Sequence, residues 1–239
     1  MLNKKVIHEA QFELPDLDIH PEGDVLLIDK PYRCTSFDVV GKVRQYIRRK
    51  YQQKVKVGHA GTLDPLATGL LIICVGKFTK QIDNYQAQEK AYIGTFRLGA
   101  TTPSFDLEKP IDQFFAYDHV TEAMVEETRQ KFLGEIDQVP PQFSAVRMGG
   151  RRAYELAREG TDVEISPRRI TIPTFDITRF QLPDLDFSIV CSKGTYIRSI
   201  ARDFGFELNS GAHLTALRRT RIGDFKVEDA IQLIPKTID

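Results

Sequence analysis

The chain has 239 residues, 41% of them hydrophobic, with 33 basic and 33 acidic side chains for a formal net charge of zero. That length can bury a sizeable core. No apolar run approaches the roughly 18 residues of a membrane span, which excludes a spanning helix, and the opening MLNKKVIHEAQFELPDLDIHPEGD has no continuous apolar stretch and carries acids throughout, unlike a secretory leader.

In chain order, DVLLIDK (24–30) reads as a strand. Ser36 is the expected N-cap of the helix FDVVGKVRQYIRRKY, whose Phe37, Val40, Val43, Ile47 and Tyr51 recur every three or four residues and predict one buried stripe. LLIICVG (70–76) predicts a buried strand and KAYIGTFRLGA (90–100) an alternating one in the same sheet. Thr121 is the expected cap of a helix running to about Leu133, and SAVRMGGRRAYELA predicts a strand, a Gly-Gly turn and a short helix. Strands follow around RRITIPTFDITRFQL and DFSIVCS, then a helix in TYIRSIARDFGFEL with Ile197, Ile200, Ala201, Phe204 and Leu208 on one face. No Pro/Gly/Ser linker divides the chain, which predicts one mixed α/β body with an excursion near residues 100–140. Cys34, Cys74 and Cys191 are an odd set, and the last two lie in apolar runs where buried free thiols are common.

Charge is segregated along the chain. From Arg33 to Lys56 there are eight bases against one acid, Asp38, whereas Thr101 to Asp137 holds nine acids against three bases. From Cys191 to Lys226 seven bases face three acids, with Tyr196, Phe204, Phe206 and Phe225 interleaved, a pattern common on nucleic-acid surfaces.

The stretch GHAGTLDPLATGL (58–70) sets glycines and His59 around an Asp-Pro pair. It lacks the Gly-Lys-Ser/Thr ending of a phosphate loop. His59 has no second His or Cys at ligand spacing, so a metal site is not expected. Asp64 before Pro65 is held toward extended backbone, and its residue type alone suits the cap of a short helix.

KPYRCTS (30–36), GHAGTLDPLATGLL (58–71), KAYIGTFRLGATTPSFD (90–106), VPPQFSAVRMGGRRAYELAREG, CSKGTYIRSIARDFG (191–205) and GAHLTALRRTRIGDF occur in an order that resembles the TruB family of pseudouridine synthases, from about Gly23 to Phe225. The resemblance implies an α+β fold with a central, mostly antiparallel, bent sheet flanked by helices and loops and crossed by a cleft. It implies residues 1–22 as an N-terminal extension and 23–239 as the catalytic domain, with no C-terminal PUA domain. It further implies an isomerase that flips uridine 55 out of the T-loop of tRNA, breaks its N1–C1′ bond and forms C5–C1′, with no metal or cofactor. A cytoplasmic monomer acting on the T-arm, without an obligate protein partner, is expected.

By the same resemblance Asp64 is the catalytic carboxylate, acting at C1′, at C6 or on the 2′ proton. Arg198 pairs with it, and Tyr92 stacks on the flipped uracil. His59 occupies the space vacated by flipped bases, Tyr196 and Leu217 line the uracil pocket, and Lys30 with Pro31 supports the catalytic loop. Lys42, Arg44, Arg48 and Arg49 on the basic helix, with Arg218, Arg219 and Arg221, are expected at RNA phosphates. Arg33 stands where the family usually has glycine, and Ala60 and Thr62 where Thr and Ala are usual. An RNA-binding or tRNA-folding module without catalysis is the alternative; it has no need of Asp64 together with Arg198 and Tyr92. A two-carboxylate glycosidase would require a second acid near the loop, and none is nominated.

Overall fold

The computed structural model describes residues 12–235 apart from 145, 154, 155, 157, 158 and 160–163. Its main elements are β1 (Gly23–Lys30), α1 (Ser36–Tyr51), β2 (Val57–Ala60), β3 (Thr68–Gly76), α2 (Ile82–Ala87), β4 (Lys90–Leu98), α3 (Glu122–Gln130), β5 (Gly134–Gln138), β6 (Arg168–Ile172), β7 (Thr174–Gln181), β8 (Asp184–Cys191), α4 (Ile197–Glu207), β9 (Ala212–Ile222) and β10 (Ile231–Gln232). No described helix is long and apolar enough to cross a membrane.

Where one body was expected, the chain divides into two compact units, the described residues up to Ala91 with those from Arg218 onward, and Tyr92–Leu217. Both boundaries fall inside strands, β4 and β9, so no linker composition announces them.

The first unit is built on β3, whose Leu70 to Val75 are all buried because its apolar run is covered on both faces. β1 runs antiparallel to it from Gly23 opposite Gly76 to Lys30 opposite Gly69. β2 is also antiparallel to β3, whereas Arg218 and Arg219 of β9 pair parallel with Thr68 and Gly69, and β10 pairs parallel with β1. Val39, Val40, Val43 and Ile47 of α1 cover one face of the sheet, packing in one cluster with Ile28, Leu71 and Ile73. Ile222 and Val227 join Leu70, Ile72 and Cys74 in the cluster on the other.

The cap of α1 is Thr35 rather than Ser36. Thr35 and Asp38 form a reciprocal capping box, typically worth about 1 kcal/mol, which frees the Ser36 hydroxyl for another use. Phe37, expected in the buried stripe, is 65% exposed, and Val39 takes its place in the core. The described part of the expected N-terminal extension belongs to this unit. Phe12 and Glu13 pair with Pro235 and Ile234, Ile19 is buried, and Leu17 N donates to the Tyr46 hydroxyl at 2.6 Å.

In the second unit β7 and β8 form an antiparallel hairpin bulged near Ile177, and the strand order is β7-β8-β4-β9. Its core is aromatic: Phe96 stacks on Phe187 at 4.2 Å between ring centroids, and Phe132, Phe175 and Phe204 surround the pair. All five residues expected on the inner face of α4 are buried. Thr121 caps α3 as expected, and β5 pairs antiparallel with β6. The expected turn at Gly149 and Gly150 joins two short paired strands, Arg147–Met148 and Arg151–Arg152. Most of the helix expected after it lies outside the described residues.

Candidate active site

The Asp64 segment leaves β2 at Ala60 and enters β3 at Thr68. No helix follows Asp64: Ala67 N donates to Asp64 O at 3.1 Å, closing a turn that leads straight into β3. Both ends require left-handed glycine, Gly61 at φ +86° and Gly69 at φ +101°. A Cβ on Gly69 would come within 2.2 Å of Arg219 O, so β9 approaches β3 there as only glycine permits.

Two buried cations hold this segment through main-chain oxygens. Lys30 is fully buried, and its Nζ donates to Cys34 O at 2.6 Å, Pro31 O at 3.0 Å and Pro65 O at 3.4 Å. Burial pushes its pKa down to about 8, against the attraction of Cys34 and Asp64 and with the repulsion of Arg219. Arg219, 1% exposed, donates from Nε to Leu70 O at 2.8 Å and from Nη2 to Gly61 O at 3.0 Å, gripping both ends of the segment. The Ser36 hydroxyl accepts from Leu63 N at 2.9 Å and donates to Leu63 O at 3.2 Å. Asp64 itself is half-buried at the centre of these attachments. His59 is held below its usual pKa by burial and then by the charge of Arg219, opposed by a backbone hydrogen bond at Gly61. Its imidazole is therefore neutral at pH 7, and its Nδ1 is buried without a hydrogen-bond partner among the described residues.

The second unit carries Tyr92, Tyr196, Arg198 and Leu217. Tyr92 is buried in β4 and Leu217 is half-buried in β9. Tyr196 is the N-cap of α4, its N donating to Gln138 Oε1 at 2.8 Å and its carbonyl accepting from Gln138 Nε2 at 3.1 Å. Arg198, 4% exposed, donates from Nη1 to Ser104 O at 3.2 Å and from Nη2 to Phe143 O at 2.9 Å. The buried carboxylate of Asp106 lies 3.8 Å from its Nε. A first-turn arginine so placed is no solvated surface charge, because its desolvation has to be offset by these oxygens.

Sequence reasoning assigned Asp64, His59, Lys30, Pro31, Tyr92, Tyr196, Leu217 and Arg198 to a single site in one body; the structure places the first four in one unit and the last four in the other, and sequence reasoning missed Ser36, Gln138 and Asp106 as partners. Asp106 left a trace as an acid closing the segment TTPSFD, and Ser36 as the last residue of KPYRCTS, where it was expected only as a helix cap. The basic residues divide. Arg48 and Arg49 are exposed with no ion pair among the described residues. Lys42 is half-buried with Nζ 5.7 Å from the Phe12 ring, and Arg44 donates to Val57 O at 2.6 Å. Arg218 makes a two-point pair with Asp29 at 2.9 and 2.6 Å, and Arg221 reaches Glu89 at 2.7 Å. Arg219, expected at a phosphate, is instead interior: β9 turns it toward the Asp64 segment, where its donors satisfy carbonyls.

A family model described as TruB family pseudouridylate synthase (N terminal domain) matches residues 48–197, and one described as tRNA pseudouridylate synthase B C-terminal domain matches residues 198–234. A curated tRNA pseudouridine synthase B of Flavobacterium johnsoniae is 58% identical over 89% of this chain and 93% of its own. That of Phocaeicola vulgatus is 54% identical over 91% and 94%. Among solved structures, a Cbf5-Nop10-Gar1 complex matches with a TM-score of 0.65 and 28% identity, covering 89% of this chain and 52% of the matched chain. An H/ACA RNP bound to a substrate RNA containing 2′-deoxyuridine matches with a TM-score of 0.62 and 27% identity, covering 89% of this chain and 51% of the matched chain.

Proposed function

The chain belongs to the TruB family of pseudouridine synthases, and from that premise we propose that it isomerises uridine 55 in the T-loop of tRNA, with Asp64 as the catalytic carboxylate. It is an isomerase that makes pseudouridine in tRNA. The reaction breaks N1–C1′ and forms C5–C1′, after which C5 gives up a proton and N1 gains one, so no atom is added or lost. One carboxylate can serve it as nucleophile or base.

The observation that carries the assignment of Asp64 is the double attachment of its segment. Lys30 grips Pro65 O and Arg219 grips Gly61 O and Leu70 O, so a half-buried carboxylate is fixed by main-chain bonds on either side of it. Such rigidity supports a reacting group more than a surface turn, because misplacement of about 1 Å can cost about a hundredfold in rate. Tyr92 is proposed to stack on the extruded uracil, Tyr196 and Leu217 to line its pocket, and neutral His59 to replace it among the loop bases. Arg198 is proposed as the cation that partners Asp64. The same proposal has the chain working in the cytoplasm as a monomer on the T-arm, without a protein partner.

The test is incubation of the purified chain with unmodified tRNA transcript and with an isolated T-arm hairpin, followed by position-resolved pseudouridine mapping. Pseudouridine at 55 in both is expected, with specificity constants within about tenfold if remote contacts add little transition-state binding. Tight tRNA binding with no pseudouridine would instead leave an RNA-binding module.

A further inference from the structure

Resting on the reading of the chain as an enzyme that acts on tRNA, we propose that Tyr32, Arg33, Phe37 and Arg44 form an additional contact surface for the substrate RNA, with Arg33 taking a backbone phosphate and the two rings taking unstacked bases.

The argument starts from Arg33. Its φ is +58°, in the left-handed region where a Cβ is disfavoured and glycine is at home. Its side chain gives no structural reason for the strain, because it is exposed and makes neither a hydrogen bond nor an ion pair among the described residues. The guanidinium instead lies 5.6 Å from the centroid of the Tyr32 ring, which is 48% exposed. A second ring–guanidinium pair lies on α1, where Arg44, which also donates to Val57 O, stands 5.5 Å from the ring of Phe37, 65% exposed at the start of the helix. A lone exposed ring would call for no explanation. Two rings each faced by an arginine, one of them on strained backbone, match how single-stranded RNA is held, by stacking on aromatic and guanidinium planes with cations at the phosphates. The nearby acid does not compete, since Asp38 accepts from Thr35 N at 2.9 Å and Thr35 Oγ1 at 2.6 Å in the capping box.

Position supports the same ligand. Lys30 Nζ bonds both Cys34 O at 2.6 Å and Pro65 O at 3.4 Å, and Ser36 bonds Leu63. The turn that carries Arg33 is thus joined to the turn that carries Asp64, which puts this surface on the same anchored framework as the reacting carboxylate.

The test is tRNA binding by the full chain across a salt series, alongside thermal unfolding. Arg33→Gly is expected to hold or raise the melting temperature while weakening the Kd about three- to tenfold and reducing the salt slope by about 0.7 to 0.9. Arg33→Ala should lose the same affinity without the gain in stability, and Arg33→Lys should recover the salt slope. Tyr32→Ala and Phe37→Ala should each weaken binding about fivefold or more with the slope unchanged. Wild-type affinity and slope in both Arg33→Gly and Arg33→Ala would overturn the proposal, as would a loss confined to Arg33→Ala, which would make the effect one of backbone. Pseudouridine mapping with the wild-type chain decides the catalytic reading separately, since the binding series stands without turnover.

Discussion

Lys30 and Arg33 lie three residues apart and illustrate two opposite uses of positive charge in one unit. The region around Asp64 is served by cations driven inside: Lys30 and Arg219 are buried and give their donors to main-chain oxygens. The region from Arg33 to Arg49 keeps cations outside, and Arg33, Arg48 and Arg49 meet no acid among the described residues. The difference teaches that a carbonyl-lined interior can use charge to fix a turn, whereas an unmatched exterior charge is available to a polyanion. It also explains why the zero net charge misleads. In the unit of residues 92–217 several acids are already engaged by local cations, Asp184 by Arg97, Asp186 by Arg179 and Glu207 by Lys131, so a net charge summed over the chain says little about any one surface.

The largest effect should come from the residue the interior cations hold. Asp64→Asn preserves shape and removes the charge, so turnover should fall by about 10⁴-fold or more while tRNA affinity stays within about tenfold. Single-turnover kinetics with deamidation excluded by mass spectrometry would check this, and appreciable pseudouridine formation would break the distinction between a catalytic interior and a binding exterior.

Next is the energetic signature of burying Lys30. Its folded pKa of about 8 lies below the unfolded value of 10.5, so the unfolded chain binds more protons between those values. The cost of the buried ammonium is therefore carried in full below about pH 8 and relieved as pH rises toward 10.5. Lys30→Met removes this linkage, so the wild type should gain on the variant by up to about 3 kcal/mol across that window. Urea midpoints of both proteins at matched pH, in a Cys34→Ala background because Lys30 itself lowers the Cys34 thiol, would show it, with the contribution of Cys74 largely cancelling. A constant difference would mean that Lys30 stays charged without penalty.

Smaller again is the effect of Arg219→Leu. Loss of its grip on Gly61 O and Leu70 O should loosen the Asp64 segment and lower kcat about ten- to a hundredfold, with tRNA Kd changed less than about threefold. Arg219→Lys, able to reach one carbonyl, should recover part of the rate. An equal loss in Kd would return Arg219 to the phosphate-binding set.

Much of this was legible in the sequence for physical reasons. The apolar run LIICV and the stripe Val40, Val43, Ile47 follow the periods of strand and helix, so β3 and the inner face of α1 could be placed from it. The order of motifs pointed to Asp64, but a motif does not tell which way each side chain turns. In LRRTR the three arginines look alike; strand alternation separates Arg218 from Arg219 but leaves Arg219 and Arg221 on one face, and only the pairing of Arg219 with Gly69 beside the Asp64 segment buries it, while Arg218 and Arg221 meet acids. Phe37 counted as core because its spacing fits; its place in the first turn exposes it, and Val39, one position off the expected stripe, fills the core. β9 was not foreseen as a strand because its charged half breaks the apolar alternation, and the two units went unseen because their boundaries lie within strands.

The smallest expected effect tests the exterior side of the comparison most directly. Arg48 and Arg49 close α1, where cations also favour the helix C-terminus, so a purely structural role is a real competitor. The two roles separate in salt. Replacing both with Ala should weaken tRNA binding about three- to tenfold at low ionic strength and shrink the log–log slope by up to about two phosphates' worth, with the difference vanishing as salt rises. A helix-end role would instead appear as lower thermal stability with an unchanged slope. Because the contacts carry no base information, full tRNA and the T-arm hairpin should lose affinity alike. A loss confined to full tRNA would place these arginines on a more distant part of the molecule, and the exterior cations would then divide once more, with Arg33 serving the reacting strand and α1 the tRNA body.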